Sequence, residues 1–156
     1  MAEKEIITNS SAETLQLGNE LARELRPPVV LFLSGELCAG KTTLAKGIIS
    51  GLGAAAEQDV TSPSFSLVHE FRGPVPVVHV DLYRMRDAAD IATLGLEDVF
   101  ASPAVVIIEW AEKLTLRVDW PVVRIHIAVT GDTQRLIHIE AGPVSARQPS
   151  RGGTGG

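Results

Sequence analysis

Gly35 and Gly40, separated by four residues and followed directly by Lys41-Thr42, stand between two segments of opposite character. Before them Val29 to Leu33 is an unbroken apolar run, which reads as a strand buried on both faces because it lacks the alternation of a half-exposed one. After them a helix is expected over 41–52, stopped by Gly51 and Gly53. Gly-x4-Gly-Lys-Thr between a strand and a helix is the Walker A arrangement. The glycines let the backbone curl so that its N–H groups point at phosphate, and the helix presents its positive end to the same anion. Gly35-Glu36-Leu37-Cys38-Ala39-Gly40-Lys41-Thr42 is therefore a candidate nucleotide-binding loop. Lys41 is expected to reach the β and γ phosphates and Thr42 to give its hydroxyl to Mg²⁺.

Such a loop requires a carboxylate at the end of a neighbouring strand, to hold the metal or its water shell. Val77 to Val80 ends at Asp81, and Val105 to Ile108 ends at Glu109. Both acids should lie at the carboxyl edge of the sheet, where the loop also lies. One can serve Mg²⁺ and the other the attacking water; the spacing does not say which, and either could instead cap a turn. Trp110 follows Glu109 and is placed to stack near the nucleotide or a partner, or to fill the rim of the core. His79, inside its strand, is expected to pack or hydrogen-bond rather than to move protons.

Around this centre the chain alternates strands and helices. Ser10-Ser11-Ala12-Glu13 has the form of a capping box, and Leu17, Leu21 and Leu25 then mark one helix face, with Pro27-Pro28 as a stop. A strand is expected near 65–71, short broken helix over 87–100, and a hairpin of 122–129 with 135–140 joined at Gly131-Asp132, forming an antiparallel edge. The hydroxyl-rich Thr61-Ser62-Pro63-Ser64-Phe65 stands where a segment sensing the γ-phosphate often lies. The fold expected is α/β: a P-loop NTPase with a mostly parallel sheet flanked by helices and an antiparallel C-terminal hairpin. One domain over 1–144 is expected, followed by a disordered tail, 145–156, that has nothing to bury.

Composition removes several function classes. A formal charge of −5 supplies no global field for nucleic acid, so any contact with RNA is expected to be indirect. Arg84 and Arg86 sit beside Asp81 and Asp87, as on an ordinary solvated surface. Cys38 is the single cysteine, which excludes an internal disulfide and a cysteine-based zinc cluster and fits a reducing compartment. No apolar run is long enough for a membrane span, so a soluble, cytoplasmic protein is expected. A small-molecule kinase is the alternative reading, but such kinases add a lid that brings arginines onto the transferred phosphate, and here no such insertion is apparent. Neither asparagine, Asn9 or Asn19, belongs to an Asn-Lys-x-Asp guanine signature, so ATP is favoured over GTP.

The P-loop through Thr43, Ser62-Pro63-Ser64-Phe65, His79-Val80-Asp81-Leu82-Tyr83-Arg84 and Ile108-Glu109-Trp110 together, in this order, resemble the bacterial TsaE (YjeE) family. The resemblance covers about residues 10–140 and implies a P-loop ATPase required for threonylcarbamoyladenosine (t6A) in tRNA, working with the TsaD and TsaB proteins. It implies that Lys41 binds phosphate, that Thr42 and Glu109 ligate Mg²⁺, that Asp81 is needed for hydrolysis and that Trp110 lies close to the nucleotide. It also draws Thr43, the segment from Ser11 to Thr14, and Arg135 of the late hairpin into the nucleotide site. Cys38 stands where the family usually has glycine, which costs strain if the loop needs positive φ there.

Overall fold

The structure, a computed structural model, describes residues 3–56, 67–114 and 117–141. Seven strands form one sheet in the order β1-β7-β6-β2-β5-β4-β3. They are β1 (Lys4–Thr8), β2 (Val29–Gly35), β3 (Val68–Phe71), β4 (Val77–Asp81), β5 (Val105–Glu109), β6 (Val122–Val129) and β7 (Arg135–Ala141). The central strands β6, β2, β5 and β4 run parallel, and β3, β7 and β1 are antiparallel to their neighbours. The hairpin β6–β7 is antiparallel as expected, but it is not the edge itself: β6 joins β2 in parallel and β1 pairs outside β7. Lys4-Glu5-Ile6-Ile7-Thr8 gives little sign of a strand, since its two apolar residues are adjacent rather than alternating. It is ordered by the ladder that β7 offers.

Helices α1 (Ser11–Ala22) and α2 (Lys41–Gly51) pack on one face of the sheet, over Leu31, Leu33, Ile107, Ile125 and Ile137. The short helices α3 (Ala88–Ala92) and α4 (Leu96–Val99) supply Ile91 and Leu96 to a second core on the other face, with Val30, Val80, Val106 and Ile108. Ser10 caps α1 as its sequence implies, its hydroxyl accepting from Glu13 N at 3.1 Å; the Glu13 carboxylate reaches one residue further back, to Asn9 N at 2.7 Å. The helix ends at Ala22, ahead of Pro27. Its last turn tightens through bonds from Arg23, Glu24 and Leu25 N–H to carbonyls three residues earlier, and this turn still delivers Leu25 to the core.

Where α1 and α2 meet, glycines replace side chains. A Cβ on Gly47 would lie 2.2 Å from Leu15 O, and one on Gly18 would lie 2.6 Å from Leu44 O. Asn19 Nδ2 spans the same crossing to Gly47 O at 2.6 Å. Because α2 starts at the P-loop, this contact fixes the loop's direction. Gly47→Ala must push the helices apart and is expected to cost about 2–3 kcal/mol, a fall of roughly 5–10 °C in thermal midpoint. An unchanged midpoint in calorimetric unfolding would refute so close a crossing.

The segment 61–65, the beginning of the strand expected from 65, and the tail 145–156 lie outside the described residues.

Candidate functional site

Strands β2, β4 and β5 are parallel neighbours, so the P-loop, Asp81 and Glu109 emerge at the same carboxyl edge. Asp81 and Glu109 are register partners across β4 and β5, and Glu109 is in register with Leu33 of β2. Gly35 leaves β2 at φ 148°, and a Cβ there would lie 2.5 Å from Ile127 O, which leaves no room for a side chain. Gly40 is the N-cap of α2 at φ 110°, with no side-chain cap, so the helix's first turn opens toward the loop. Cys38 adopts φ 65°. The departure from glycine therefore does fall at a left-handed position, at a cost of about 1–2 kcal/mol.

Lys41 Nζ donates to Gly35 O and Glu36 O, each at 2.8 Å, and lies 4.2 Å from the centre of the Trp110 ring. Burial pushes the Lys41 ammonium below the usual lysine range, opposed by the carboxylates of Glu109, Glu112 and Asp81. The Thr42 hydroxyl donates to both oxygens of Glu109 at 3.1 Å. Glu109 is buried, and its Oε2 also contacts His79 Nε2 at 2.6 Å. Asp81 Oδ1 accepts from Tyr83 N at 2.9 Å, so this carboxylate caps the following turn as well as lining the cleft.

These residues surround a cleft of 370 Å³ lined by Leu37, Cys38, Gly40, Lys41, Thr42, Thr43, Asp81, Tyr83, Arg84, Glu109 and Trp110, among others. Trp110 holds φ 61°, packs its ring 5.0 Å from Tyr83 and also touches the second core, so the cleft and core readings both apply to it. A second cleft of 210 Å³ lies on the other side of the loop. It shares Cys38, Gly40 and Thr43 and adds Ser10, Ser11, Thr14, Ala39, Asp132, Thr133 and Arg135. Arg135 meets the loop itself: its Nε donates to Ala39 O at 2.9 Å, and a terminal nitrogen donates to Gly131 O and Gln134 O. Gly35 and Glu36 line neither cleft but supply the carbonyls that hold Lys41.

At this edge His79 hydrogen-bonds, as its place inside a strand implies, Arg84 is exposed as expected but also lines the cleft, and Tyr83 and Lys113 join them with no role foretold by the sequence. Lys113 Nζ donates to Tyr83 O and Met85 O, tying the turn after β5 to the one after β4. Nothing in the spacing foretells that bond, because its partners are backbone atoms. His79 precedes Asp81 by two residues in one strand, so both side chains share a face.

The donor set is hard. A hydroxyl and a carboxylate in mutual contact, with a second carboxylate on the adjacent strand, are oxygen ligands suited to Mg²⁺ held together with substrate phosphates. Among the described residues no group of three or more His, Cys, Asp or Glu could hold a metal by themselves. No helix among the described residues is long and apolar enough to cross a membrane.

Comparison with known proteins bears on the same residues. The family model described as threonylcarbamoyl adenosine biosynthesis protein TsaE matches residues 8–137, a span that includes the P-loop, both carboxylates and Arg135. A Streptomyces coelicolor protein named tRNA threonylcarbamoyladenosine biosynthesis protein TsaE is 42% identical, the match covering 77% of this chain and 91% of that one. A Bacillus subtilis protein of the same name is 36% identical over 86% of this chain and 83% of its own length. A crystal structure of Bacillus subtilis YdiB superposes with a TM-score of 0.70 at 31% identity, covering 93% of this chain and 88% of that one. With its P-loop NTPase fold and this match over most of its length, the chain belongs to the TsaE family of threonylcarbamoyladenosine biosynthesis proteins.

Proposed function

We propose that this chain is a Mg²⁺-dependent ATPase that supports t6A modification of tRNA by acting on a complex of the TsaD and TsaB proteins. The observation that carries the ATPase reading is the Thr42–Glu109 contact at the mouth of the P-loop. A hydroxyl can donate its proton to a carboxylate while offering a lone pair to a cation, so the pair is preset for the metal. The 370 Å³ cleft would take the β and γ phosphates, with Lys41 turning from the Gly35 and Glu36 carbonyls onto them. The smaller cleft, at Ser11, Thr14 and Arg135, would take the nucleoside. Thr42 and Glu109 would hold Mg²⁺, which when bound offsets negative charge on the phosphate oxygens. Asp81 then orients the attacking water or passes the nucleotide state to the partner. Contact with tRNA is through the complex, as the chain's net charge of −5 favours.

Arg135 is engaged with loop carbonyls, and Arg84 lines the 370 Å³ cleft but is solvent-exposed, so neither is held rigidly against the phosphates. Hydrolysis by the isolated chain should therefore be slow, and the partner complex should raise it at least ~10-fold, within the range that an arginine supplied in trans can reach. Phosphate release measured with and without TsaD and TsaB tests this. Rapid turnover alone, unaltered by the partners, would remove the partner-dependent reading.

A further inference from the structure

Glu109 is held by two side chains that act differently. Thr42 Oγ1 stands 3.1 Å from both carboxylate oxygens and so cannot distinguish them or stop the group from turning. His79 Nε2 meets Oε2 alone, at 2.6 Å. The imidazole is itself enclosed: it lies in β4 between His69 of β3 and Ile107 of β5, fully buried, and does not line the 370 Å³ cleft. Its Nδ1 is buried with no hydrogen-bond partner among the described residues. A proton on Nδ1 would be an orphaned buried donor, whereas on Nε2 it is donated to Glu109 and leaves only a lone pair without a partner, the less costly arrangement.

From this asymmetry we infer that His79 is a positioning residue for the metal-binding carboxylate: its Nε2–H fixes the rotation of Glu109, so that Oε1 is presented beside the Thr42 hydroxyl. The inference rests on the reading of Glu109 as the Mg²⁺ ligand. His79 is buried away from the cleft, and it acts on metal affinity rather than on proton transfer. A partner that orients a ligating carboxylate is typically worth ~10–100-fold in metal affinity.

The test uses His79→Leu, which removes the donor; His79→Gln, whose amide nitrogen is as many bonds from Cα as Nε2 is; and His79→Asn, whose amide stops short of Glu109. ATP affinity is measured by calorimetry across a Mg²⁺ series, and Mn²⁺ binding in the presence of ATP by electron paramagnetic resonance. His79→Leu and His79→Asn should raise the Mg²⁺ needed for half-maximal enhancement of ATP binding by ~10-fold or more, leaving metal-free affinity unchanged, while His79→Gln stays within ~3-fold of the parent. Parental Mg²⁺ dependence in His79→Leu, or equal behaviour of the Gln and Asn variants, overturns the inference. Should the Leu variant fail to fold, the Gln–Asn comparison decides alone. Glu109→Gln separates the two levels. If it leaves the Mg²⁺ dependence unaltered, the assignment of Glu109 falls and this inference with it; if it shifts the dependence while the His79 variants do not, only the role of His79 falls.

Discussion

Lys41→Ala is expected to weaken ATP binding by roughly two to three orders of magnitude, about 3–4 kcal/mol, since it removes a cation that would bond two phosphates at once. The side chain is only 4% exposed, and its ammonium lies between two loop carbonyls and the face of Trp110. Truncation thus also leaves Gly35 O and Glu36 O without their donor, and part of any loss could be a collapsed loop. Lys41→Met keeps the stem against Trp110 while removing the charge together with its N–H donors. Both variants should bind ATP weakly in titration calorimetry while unfolding close to the parent temperature. Parental affinity in either folded variant would mean that this loop is not the phosphate site.

How far the sequence discloses this arrangement depends on whether a feature is local. The P-loop is local: two glycines, a lysine and a threonine between a buried run and a helix imply their own geometry, whereas the left-handed turn at Cys38 is a condition raised by the family resemblance, which the structure meets. The convergence of Asp81 and Glu109 follows as well, because parallel strands place their carboxyl ends on one edge. What is not local is less visible. The ladder partner of β1 lies more than a hundred residues away, and no period in Lys4 to Thr8 announces it. The Arg135–Ala39 bond joins the C-terminal hairpin to the loop through a backbone carbonyl, which carries no residue-type signature. Resemblance drew Arg135 toward the nucleotide, and the structure adds that it braces the loop from behind. His79 lies between these cases: the strand period puts it beside Asp81, yet its bond runs across to Glu109 on the neighbouring strand, which only the register supplies.

Glu109 and Asp81 should separate when each is altered, although they are register neighbours at one edge. Glu109 bonds the Thr42 hydroxyl, so its loss is felt where the metal and the β and γ oxygens would meet. Glu109→Gln keeps the side chain's size and one acceptor oxygen, which limits the disturbance to His79 and Thr42. It is expected to lower Mg²⁺-dependent ATP affinity ~10-fold or more and to abolish most hydrolysis. Asp81 bonds the backbone at Tyr83, so Asp81→Ala would uncap that turn and confuse the outcome with local unfolding. Asp81→Asn retains an oxygen that can accept from Tyr83 N while removing the charge and turning the second oxygen into an N–H donor. It should leave ATP affinity within ~2–3-fold while lowering turnover ~100-fold, the pattern of an interaction made only in the transition state. Calorimetry over a Mg²⁺ series and single-turnover hydrolysis, each with the TsaD–TsaB complex present and absent, measure both halves. Equal losses of Mg²⁺-dependent affinity in the two variants would show that the carboxylates hold the metal jointly, and the division of roles between them would be abandoned.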